Sequence, residues 1–212
     1  MKVNKMLYPK TERVKVEEKY TCQLTEKLDG SNLCIFKKDD ALYIAQRNNI
    51  IPVDELEENK NILYKGLYQW ITDHKSYLLE NLHDNAVLCG EWLGMGRLKY
   101  DVGEFDKRFY MFAKANITDD FNLKNIYYYH ELFIYPFINQ VIPNFIGVFP
   151  VVKELKVIPN KKDLDGIYES YCNKVNRNVE GIVVNYQNNV TKYVRMKNGK
   201  LQDHFDRERK VA

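Results

Sequence analysis

The chain of 212 residues is long enough to bury a substantial core, and its length suits one folding unit. Lys and Arg number 32 against 29 Asp and Glu, so the net charge of +3 does not by itself indicate a nucleic-acid partner, and any basic surface must be local. The N-terminus has no apolar signal-peptide core, and no run of about 18 apolar residues occurs, which excludes a membrane span and predicts a soluble, unexported protein.

The cysteines and histidines point to no disulfide framework and no metal centre. The four cysteines, Cys22, Cys34, Cys89 and Cys172, are far apart and form no C-x-x-C pair. They are typical of reduced core residues, so we expect a cytoplasmic protein. We also expect a monomer. The four histidines lack metal-ligand spacing and are interpreted as structural or surface residues.

Short strand-like segments, separated by turn residues, recur along the chain at Thr21–Leu24, Leu33–Lys37, Ala41–Gln46, Ala86–Leu93, Arg108–Ala113, Gly181–Tyr186 and Lys192–Met196. Helical patterns fall at Ile62–Asn81, Ile126–Pro136 and Lys161–Val175. The last follows Asn160, a residue suited to capping a helix. Strands cluster in sequence instead of alternating with helices, which predicts an α+β fold with antiparallel sheets. No linker or repeat divides the chain, so residues 1–212 are predicted to form a single domain.

Polar motifs stand at or near the ends of these predicted strands. TEKLDGSN, residues 25–32, places a Lys-x-Asp-Gly pattern between two strands, and it is followed along the chain by AQRNN, LCGEWLGMG, RFYMFAKANI, VEGIVV and YVRMKNGK. The first pattern alone is common enough to mean little. Six motifs in this order and spacing are far more specific.

This set of motifs resembles the covalent nucleotidyltransferase superfamily of polynucleotide ligases and RNA capping enzymes, and within it the RNA ligase 2 family. The resemblance extends from Tyr8 to about Phe205. It implies a nucleotidyltransferase (ATP-grasp-like) domain in which antiparallel sheets, flanked by helices, surround a central nucleotide cleft. The chain ends soon after the last motif, so no separate C-terminal OB or helical domain is expected.

By the resemblance, Lys27 is the nucleophile that forms a lysyl-AMP intermediate from ATP. A lysine amine must lose its proton before it attacks phosphorus, so a neighbouring positive charge has to lower its pKa. Arg195 and Lys197 are predicted to project from one strand face at i and i+2 and to supply that charge. They would also hold the α-phosphate, while Glu180 would help to position Mg²⁺ or Mn²⁺.

The same resemblance assigns the remaining nucleotide contacts. It places Glu91 at the ribose hydroxyls, Phe112 on the purine face, Glu26 near the base edge and Arg47 on phosphate oxygens. Asp29 and Gly30 complete the predicted site as members of the first motif.

The activity implied is that of an ATP-dependent RNA ligase. AMP would pass from Lys27 to an RNA 5′-phosphate, and a neighbouring 3′-hydroxyl would displace it to seal nicked or broken RNA, as in RNA repair. Ser31 and Asn32 favour RNA over DNA, because DNA ligases and capping enzymes usually carry an arginine shortly after the glycine. Three alternatives stay open: an ATP-dependent DNA ligase, a GTP-using capping-type enzyme, and a nucleic-acid-binding homologue without turnover.

Each assignment has a structural alternative. Lys27 could be an exposed turn lysine, Phe112 an ordinary core aromatic, and Arg195 part of a solvated strand face. One departure from the family pattern stands out: Asn185, five residues after Glu180 of the VEGIVV motif, occupies a position where the family has a basic residue. Lys192 is a candidate to replace that contact.

Overall fold

The structure, a computed structural model, describes residues 8, 11–13, 20–46, 49–57, 62–94, 98, 100, 103–128, 143–187, 189–197 and 200–201. At 12, 62, 196, 197, 200 and 201 it describes the backbone alone. The predicted site residue Arg47 lies outside this set.

The described residues form two α-helices and fourteen strands. In chain order these are β1 (Glu12–Arg13), β2 (Cys22–Lys27), β3 (Ser31–Lys38), β4 (Ala41–Gln46), β5 (Asn49–Pro52), α1 (Leu67–Asn81), β6 (Ala86–Trp92), β7 (Phe109–Ile117), β8 (Leu123–Tyr128), β9 (Ile146–Val148), β10 (Val151–Leu155), α2 (Lys161–Val175), β11 (Gly181–Tyr186), β12 (Asn189–Val194), β13 (Met196–Lys197) and β14 (Lys200–Leu201). Short 3₁₀ turns occur at Val53–Glu55 and Ile62–Tyr64. The predicted α+β class with antiparallel sheets is confirmed.

These elements belong to two compact units. The first unit contains the described residues of Met1–Lys10, Gly30–Gly96 and Tyr100–Val148. The second contains those of Thr11–Asp29, Arg97–Lys99 and Phe149–Ala212. That the chain folds as a single domain stays a prediction.

The first unit is built on a sheet with the strand order β5-β4-β3-β6-β7-β8, to which β9 adds parallel to β7. Successive side chains of β3 point to opposite faces, so Leu33 and Ile35 enter one apolar cluster while Cys34 and Phe36 enter another. Helix α1 covers the first cluster through one buried face, formed by Leu67, Ile71 and Leu78. The sheet is therefore apolar on both faces.

The second unit is built on a five-stranded sheet with the order β1-β12-β11-β2-β10. Strand β2 is paired on both edges, antiparallel to β11 and to β10, which holds the first motif firmly. Helix α2 begins at the predicted cap: the Asn160 side chain accepts from the Asp163 N–H, and the Asp163 carboxylate accepts from the Asn160 N–H. The helix buries Leu164, Tyr168 and Tyr171 against the sheet.

Several predicted bounds are confirmed, namely those of β4, β11 and α2. Other expectations are wrong. Strand β2 continues to Lys27, three residues beyond the predicted end, because β11 pairs with it up to Gly181 opposite Lys27. The helix predicted from Ile126 is not formed at its start, because residues up to Tyr128 complete β8 against β7; residues 129–136 lie outside the described chain.

The last predicted strand is interrupted at Arg195, which lies between β12 and β13. The partner strand β11 begins only at Gly181, so pairing beyond Val194 is reduced to one backbone bond, from the Arg195 N–H to the Glu180 carbonyl at 2.9 Å. The prediction that Arg195 and Lys197 share the face of one continuous strand is therefore wrong.

The prediction that the cysteines are reduced core residues is confirmed for three of the four. All four cysteines are free; Cys22, Cys34 and Cys89 are buried and Cys172 is half-buried. Neither of the two described helices has the length and apolar character needed to cross a membrane.

Candidate functional site

The motifs TEKLDGSN and VEGIVV meet in the second unit. Lys27 ends β2 directly opposite Gly181, the first residue of β11, so the side chain of the preceding Glu180 is brought to the same place. The Lys27 Nζ donates to Glu180 Oε2 at 2.6 Å, and the two side chains keep 22% and 18% of their surface exposed. Two predicted site residues that are 153 positions apart thus form an accessible ion pair.

The surroundings of Glu180 make it a better proton acceptor than an ordinary carboxylate. Burial raises its pKa, the charge and hydrogen bond of Lys27 lower it, and the nearby Asp29 carboxylate raises it again. Lys192 also lowers this pKa through its positive charge. The net shift is upward from 4.5, so a half-buried carboxylate with an elevated proton affinity lies within hydrogen-bond distance of an amine.

The aspartate of the first motif anchors a distant loop residue. Asp29 Oδ2 accepts a hydrogen bond from the backbone N–H of Leu98 at 2.8 Å. This contact fixes part of the segment after the third motif beside the turn that follows Lys27. Asp29 therefore has a structural contact in addition to its predicted place in the site.

The glycine of the first motif is required by close packing in the first unit. A Cβ on Gly30 would lie 2.6 Å from the Trp92 carbonyl oxygen and 2.7 Å from Glu91 Cγ. Neither distance is tolerated by real Cβ atoms, and the carbonyl belongs to the backbone and cannot swing aside. Gly30 thus lets β3 begin alongside the Glu91 side chain.

Glu91 and Phe112 both lie in the sheet of the first unit. Glu91 is half-buried in β6, between Asn32 of β3 and Tyr110 of β7. Phe112 is half-buried in β7, and its ring contacts that of Tyr8 edge-to-face at 4.9 Å. Their predicted contacts with ribose and purine stay predictions.

Glu26 has partners that the sequence motifs do not indicate. Its carboxylate is completely buried and accepts two hydrogen bonds from the Arg177 guanidinium, both at 2.7 Å, and one from the Tyr171 hydroxyl at 2.9 Å. This bidentate pair occupies both oxygens within the second unit. The predicted contact of Glu26 with the base edge stays a prediction.

Arg177 and Tyr171 are thus residues that reasoning from the sequence missed. Arg177 follows the left-handed cap residue Asn176 just after α2, and no periodicity or motif marks it. One signal was available: a carboxylate at position 26, inside a strand with an apolar neighbour at Leu24, needs a buried cation.

The Arg195 guanidinium is held by α2 and β12. Its Nη1 donates to Asp165 Oδ1 at 2.7 Å and to the Tyr193 hydroxyl at 3.0 Å, and its carbon lies 5.3 Å from the centre of the Tyr168 ring. Tyr193 donates its own hydroxyl to the same Asp165 oxygen. The Arg195 Nε is buried without a hydrogen-bond partner among the described residues. The predicted approach of Arg195 to Lys27 stays a prediction, and the Lys197 side chain lies outside the described set.

The departure at Asn185 has a structural explanation. Asn185 is buried in β11, and its amide donates to the Gln23 carbonyl at 3.3 Å and to Thr25 Oγ1 at 3.4 Å. A long cation would not fit this interior position without displacing those contacts. Lys192, by contrast, lies close enough to Glu180 to lower the pKa of that carboxyl, as a substitute cation should.

Metal-binding capacity among the described residues is limited to scattered carboxylates. No group of three or more His, Cys, Asp or Glu side chains in that part of the chain could hold a metal ion. Mg²⁺ does not need such a group, since it commonly binds one or two carboxylates together with substrate phosphates and water. Glu180, with Asp29 nearby, fits this mode of binding.

A family model described as RNA ligase matches residues 21–198. The chain belongs to the RNA ligase family. The matched region contains the first five motifs in full and the last motif up to Asn198. A search of curated protein sequences found no match.

Solved RNA ligases of Naegleria gruberi resemble this RNA ligase family member. One, a variant with ATP and Mn, is 16% identical with a TM-score of 0.49, and the match covers 84% of this chain and 49% of that one. Another variant, with AMP and Mn, is 18% identical with a TM-score of 0.49, covering 83% and 50%. A third, with PPi, is 17% identical with a TM-score of 0.48, covering 84% and 50%. The chain thus spans about half the length of the ligases it matches.

Proposed function

We propose that this chain is the adenylating part of an ATP-dependent RNA ligase, with Lys27 as its nucleophile. Its main support is the 2.6 Å contact between Lys27 Nζ and Glu180 Oε2, which lies inside the region that matches the RNA ligase family. An accessible lysine at a strand end, paired with a carboxylate of elevated pKa, is an arrangement suited to covalent catalysis.

In the first step, Lys27 Nζ attacks the α-phosphorus of ATP. A nitrogen–phosphorus bond forms as the bond from that phosphorus to pyrophosphate breaks, and the amine gives up a proton. Glu180 is within the distance that a general base requires, and its raised pKa favours accepting that proton. The products are a Lys27-AMP phosphoramidate and pyrophosphate.

A divalent ion, Mg²⁺ or Mn²⁺, would be held mainly by ATP phosphates and water, with the charge of Glu180 helping to position it, and when bound it would shield the charge of the triphosphate. Lys192 is a second described cation, after Lys27, whose charge acts on Glu180, and we assign it the phosphate contact that Asn185 does not make. Arg195 and Lys197 keep their proposed roles at the α-phosphate, and Glu91 and Phe112 theirs at the nucleoside.

The second half of the reaction is proposed from family membership. AMP passes from Lys27 to an RNA 5′-phosphate, and a 3′-hydroxyl then attacks that phosphate and releases AMP. The partner is therefore RNA with a nick or a break. Since the chain spans about half of the ligases it matches, sealing is a step in which a further segment or partner can take part.

Intact mass spectrometry after incubation with Mg²⁺ and either ATP or GTP tests the first step. We expect a gain of one AMP with ATP, no gain with GTP, and no gain in Lys27→Met. A gain with GTP instead would assign a capping-type enzyme, and no adduct with either nucleotide would assign a non-catalytic homologue.

The second step is tested with the purified lysyl-AMP form on nicked duplexes that carry an RNA or a DNA 5′-phosphate strand. We expect transfer of AMP to the RNA strand. Preferential transfer to DNA would contradict the assignment to RNA. A matched control is Lys174→Met, which removes an exposed lysine of the same unit and should leave both steps unchanged.

A further inference from the structure

A groove in the second unit has no part in the proposed reaction. It runs between strand β10 and helix α2 and has a volume of about 570 Å³. Its floor is formed by the aliphatic side chains Val152, Leu155 and Ile167. Val157, which is 49% exposed, extends the apolar surface at one end. The volume of the groove lies within the range of ligand-binding clefts, about 300–1,000 Å³.

A glycine stands in the helical wall of this groove. Gly166 lies in the middle of α2, and a Cβ added to it would meet no atom within 4 Å. Glycine in a helix interior costs about 1 kcal/mol relative to alanine, so packing within the described chain does not account for this residue. Its effect is to leave the helix backbone open to close approach by a molecule in the groove.

The rim of the groove is positively charged. Lys153, Lys162 and Lys174 line it and are exposed, and none of them forms an ion pair with a carboxylate in the described part of the chain. Asp163 also lines the groove, but its carboxylate accepts the backbone N–H of Asn160 in the helix cap. The rim therefore favours an occupant with negative charge.

The floor and the adjacent strand favour a polypeptide over a nucleic acid. Unstacked bases are usually held on aromatic rings, whereas this floor is aliphatic and its one aromatic, Tyr171, donates its hydroxyl to Glu26. Strand β10 is the last strand of its sheet, and no described strand pairs with its outer edge. Such an edge can accept the backbone of an added extended segment.

We propose that the groove between β10 and α2 binds an acidic, amphipathic segment of a partner protein. Aliphatic side chains of that segment would contact Val152, Leu155 and Ile167, and its carboxylates would pair with the rim lysines. The distance from Lys162 to Lys174 along α2 is about 18 Å, which an extended segment of about five or six residues spans.

The test selects binders from a phage-displayed library of random twelve-residue peptides against the 212-residue protein. Selected peptides are expected to be enriched in Asp, Glu and aliphatic residues, and to bind less tightly as salt concentration rises. Fluorescence anisotropy of these synthetic peptides then gives their affinities. Selection without acidic enrichment, or the absence of any selected peptide, would overturn the proposal.

Two matched variants of α2 locate the binding. Gly166→Phe fills the groove and is expected to weaken the selected peptides at least about tenfold, or 1.4 kcal/mol. Asn173→Phe adds the same side chain to an exposed position of the same helix outside the groove and should leave affinity unchanged. Equal affinities for both variants would contradict the assignment. Thermal unfolding of both verifies folding, and Gly166→Ala is expected to be more stable than the parent.

A nucleic-acid occupant is excluded or established by one further measurement. A twelve-nucleotide single-stranded RNA is expected to keep its affinity in Gly166→Phe. Loss of RNA binding in that variant and in the triple replacement of Lys153, Lys162 and Lys174 by Gln would assign the groove to RNA and overturn the proposal. Adenylation of Lys27 is measured in parallel and should persist in Gly166→Phe, which separates this proposal from the proposed function.

Discussion

Glu26 and Lys27 are neighbours at the end of β2, and each forms an ion pair within the second unit. The two pairs differ in how deeply they are buried and in how many hydrogen bonds the charged group makes within the protein. The Glu26 carboxylate is fully buried and receives three hydrogen bonds, from Arg177 and Tyr171. The Lys27 amine meets Glu180 with both side chains still partly exposed, at 22% and 18%. The buried Glu26–Arg177 pair, called the saturated pair because both carboxylate oxygens are hydrogen-bonded, fixes the strand. The accessible Lys27–Glu180 pair can exchange its partners for a substrate.

Removal of Arg177 is expected to cause the largest loss of unfolding free energy. Arg177→Met would leave the Glu26 charge buried without its cation, which typically costs about 3–5 kcal/mol of unfolding free energy. The matched variant Lys27→Met should cost less than about 1 kcal/mol, because Glu180 remains within reach of solvent. Urea denaturation of both variants measures the difference.

A double variant checks the cause of the Arg177 effect. Glu26→Gln together with Arg177→Met removes both charges and should recover most of the lost stability. Equal losses in Arg177→Met and Lys27→Met would show that the two pairs do not differ as described.

Glu180 should matter for reaction more than for folding. Glu180→Gln keeps the size of the side chain but cannot take a proton or carry charge, so adenylation of Lys27 should slow at least about 100-fold. The control Glu169→Gln changes an exposed carboxylate on α2 and should adenylate normally. Single-turnover label transfer from ATP gives both rates, and a normal rate in Glu180→Gln would remove this residue from the mechanism.

Removal of the Tyr171 hydroxyl is expected to weaken the saturated pair by a smaller amount. Tyr171→Phe deletes one hydrogen bond to the charged Glu26 and should cost about 1.5–2 kcal/mol of unfolding free energy. Tyr77→Phe, at a position that is 37% exposed, is the control and should cost almost nothing. If both variants unfold alike, the Glu26 cluster contributes less than its contacts suggest.

The smallest expected effect is a change of unfolding free energy with pH, caused by Glu180 of the accessible pair. Burial raises the pKa of Glu180 above 4.5, although Lys27 lowers it. The folded carboxyl thus binds a proton at higher pH than the unfolded one, so protonation favours the folded state. Relative to Glu180→Gln, the parent should gain unfolding free energy as the pH falls from neutral toward 4.5, and the difference should be constant below that. A relative loss over this range, measured by urea denaturation, would contradict the raised pKa.

Much of the fold could be predicted because local patterns agree with the final packing. Strand β11 and helix α2 have strong local signals, alternating apolar residues in one and a capping box in the other, and their bounds are confirmed. The short strand β9 carries only three residues and depends on pairing with β7, which no local pattern reveals. The wrong helix at Ile126 has the same origin, since its first residues pair with β7 as part of β8.

Candidate site residues could be proposed from the sequence, but the contacts between them could not. Motif order singled out Lys27 and Glu180 as candidates, while the register that places Gly181 opposite Lys27 depends on long-range strand pairing. Arg177 was missed because it lies outside every motif and reaches Glu26 across 151 positions. The pairing of Arg195 with Asp165 was missed for the same physical reason.

In the proposed reaction Lys27, and no other lysine, carries the nucleotide. The decisive measurement is peptide fragmentation of the protein after incubation with ATP and Mg²⁺. AMP is expected on the peptide that contains Lys27, with the modified residue followed by Leu28 and Asp29. AMP on a different lysine, or an adduct that persists in Lys27→Met, would contradict it.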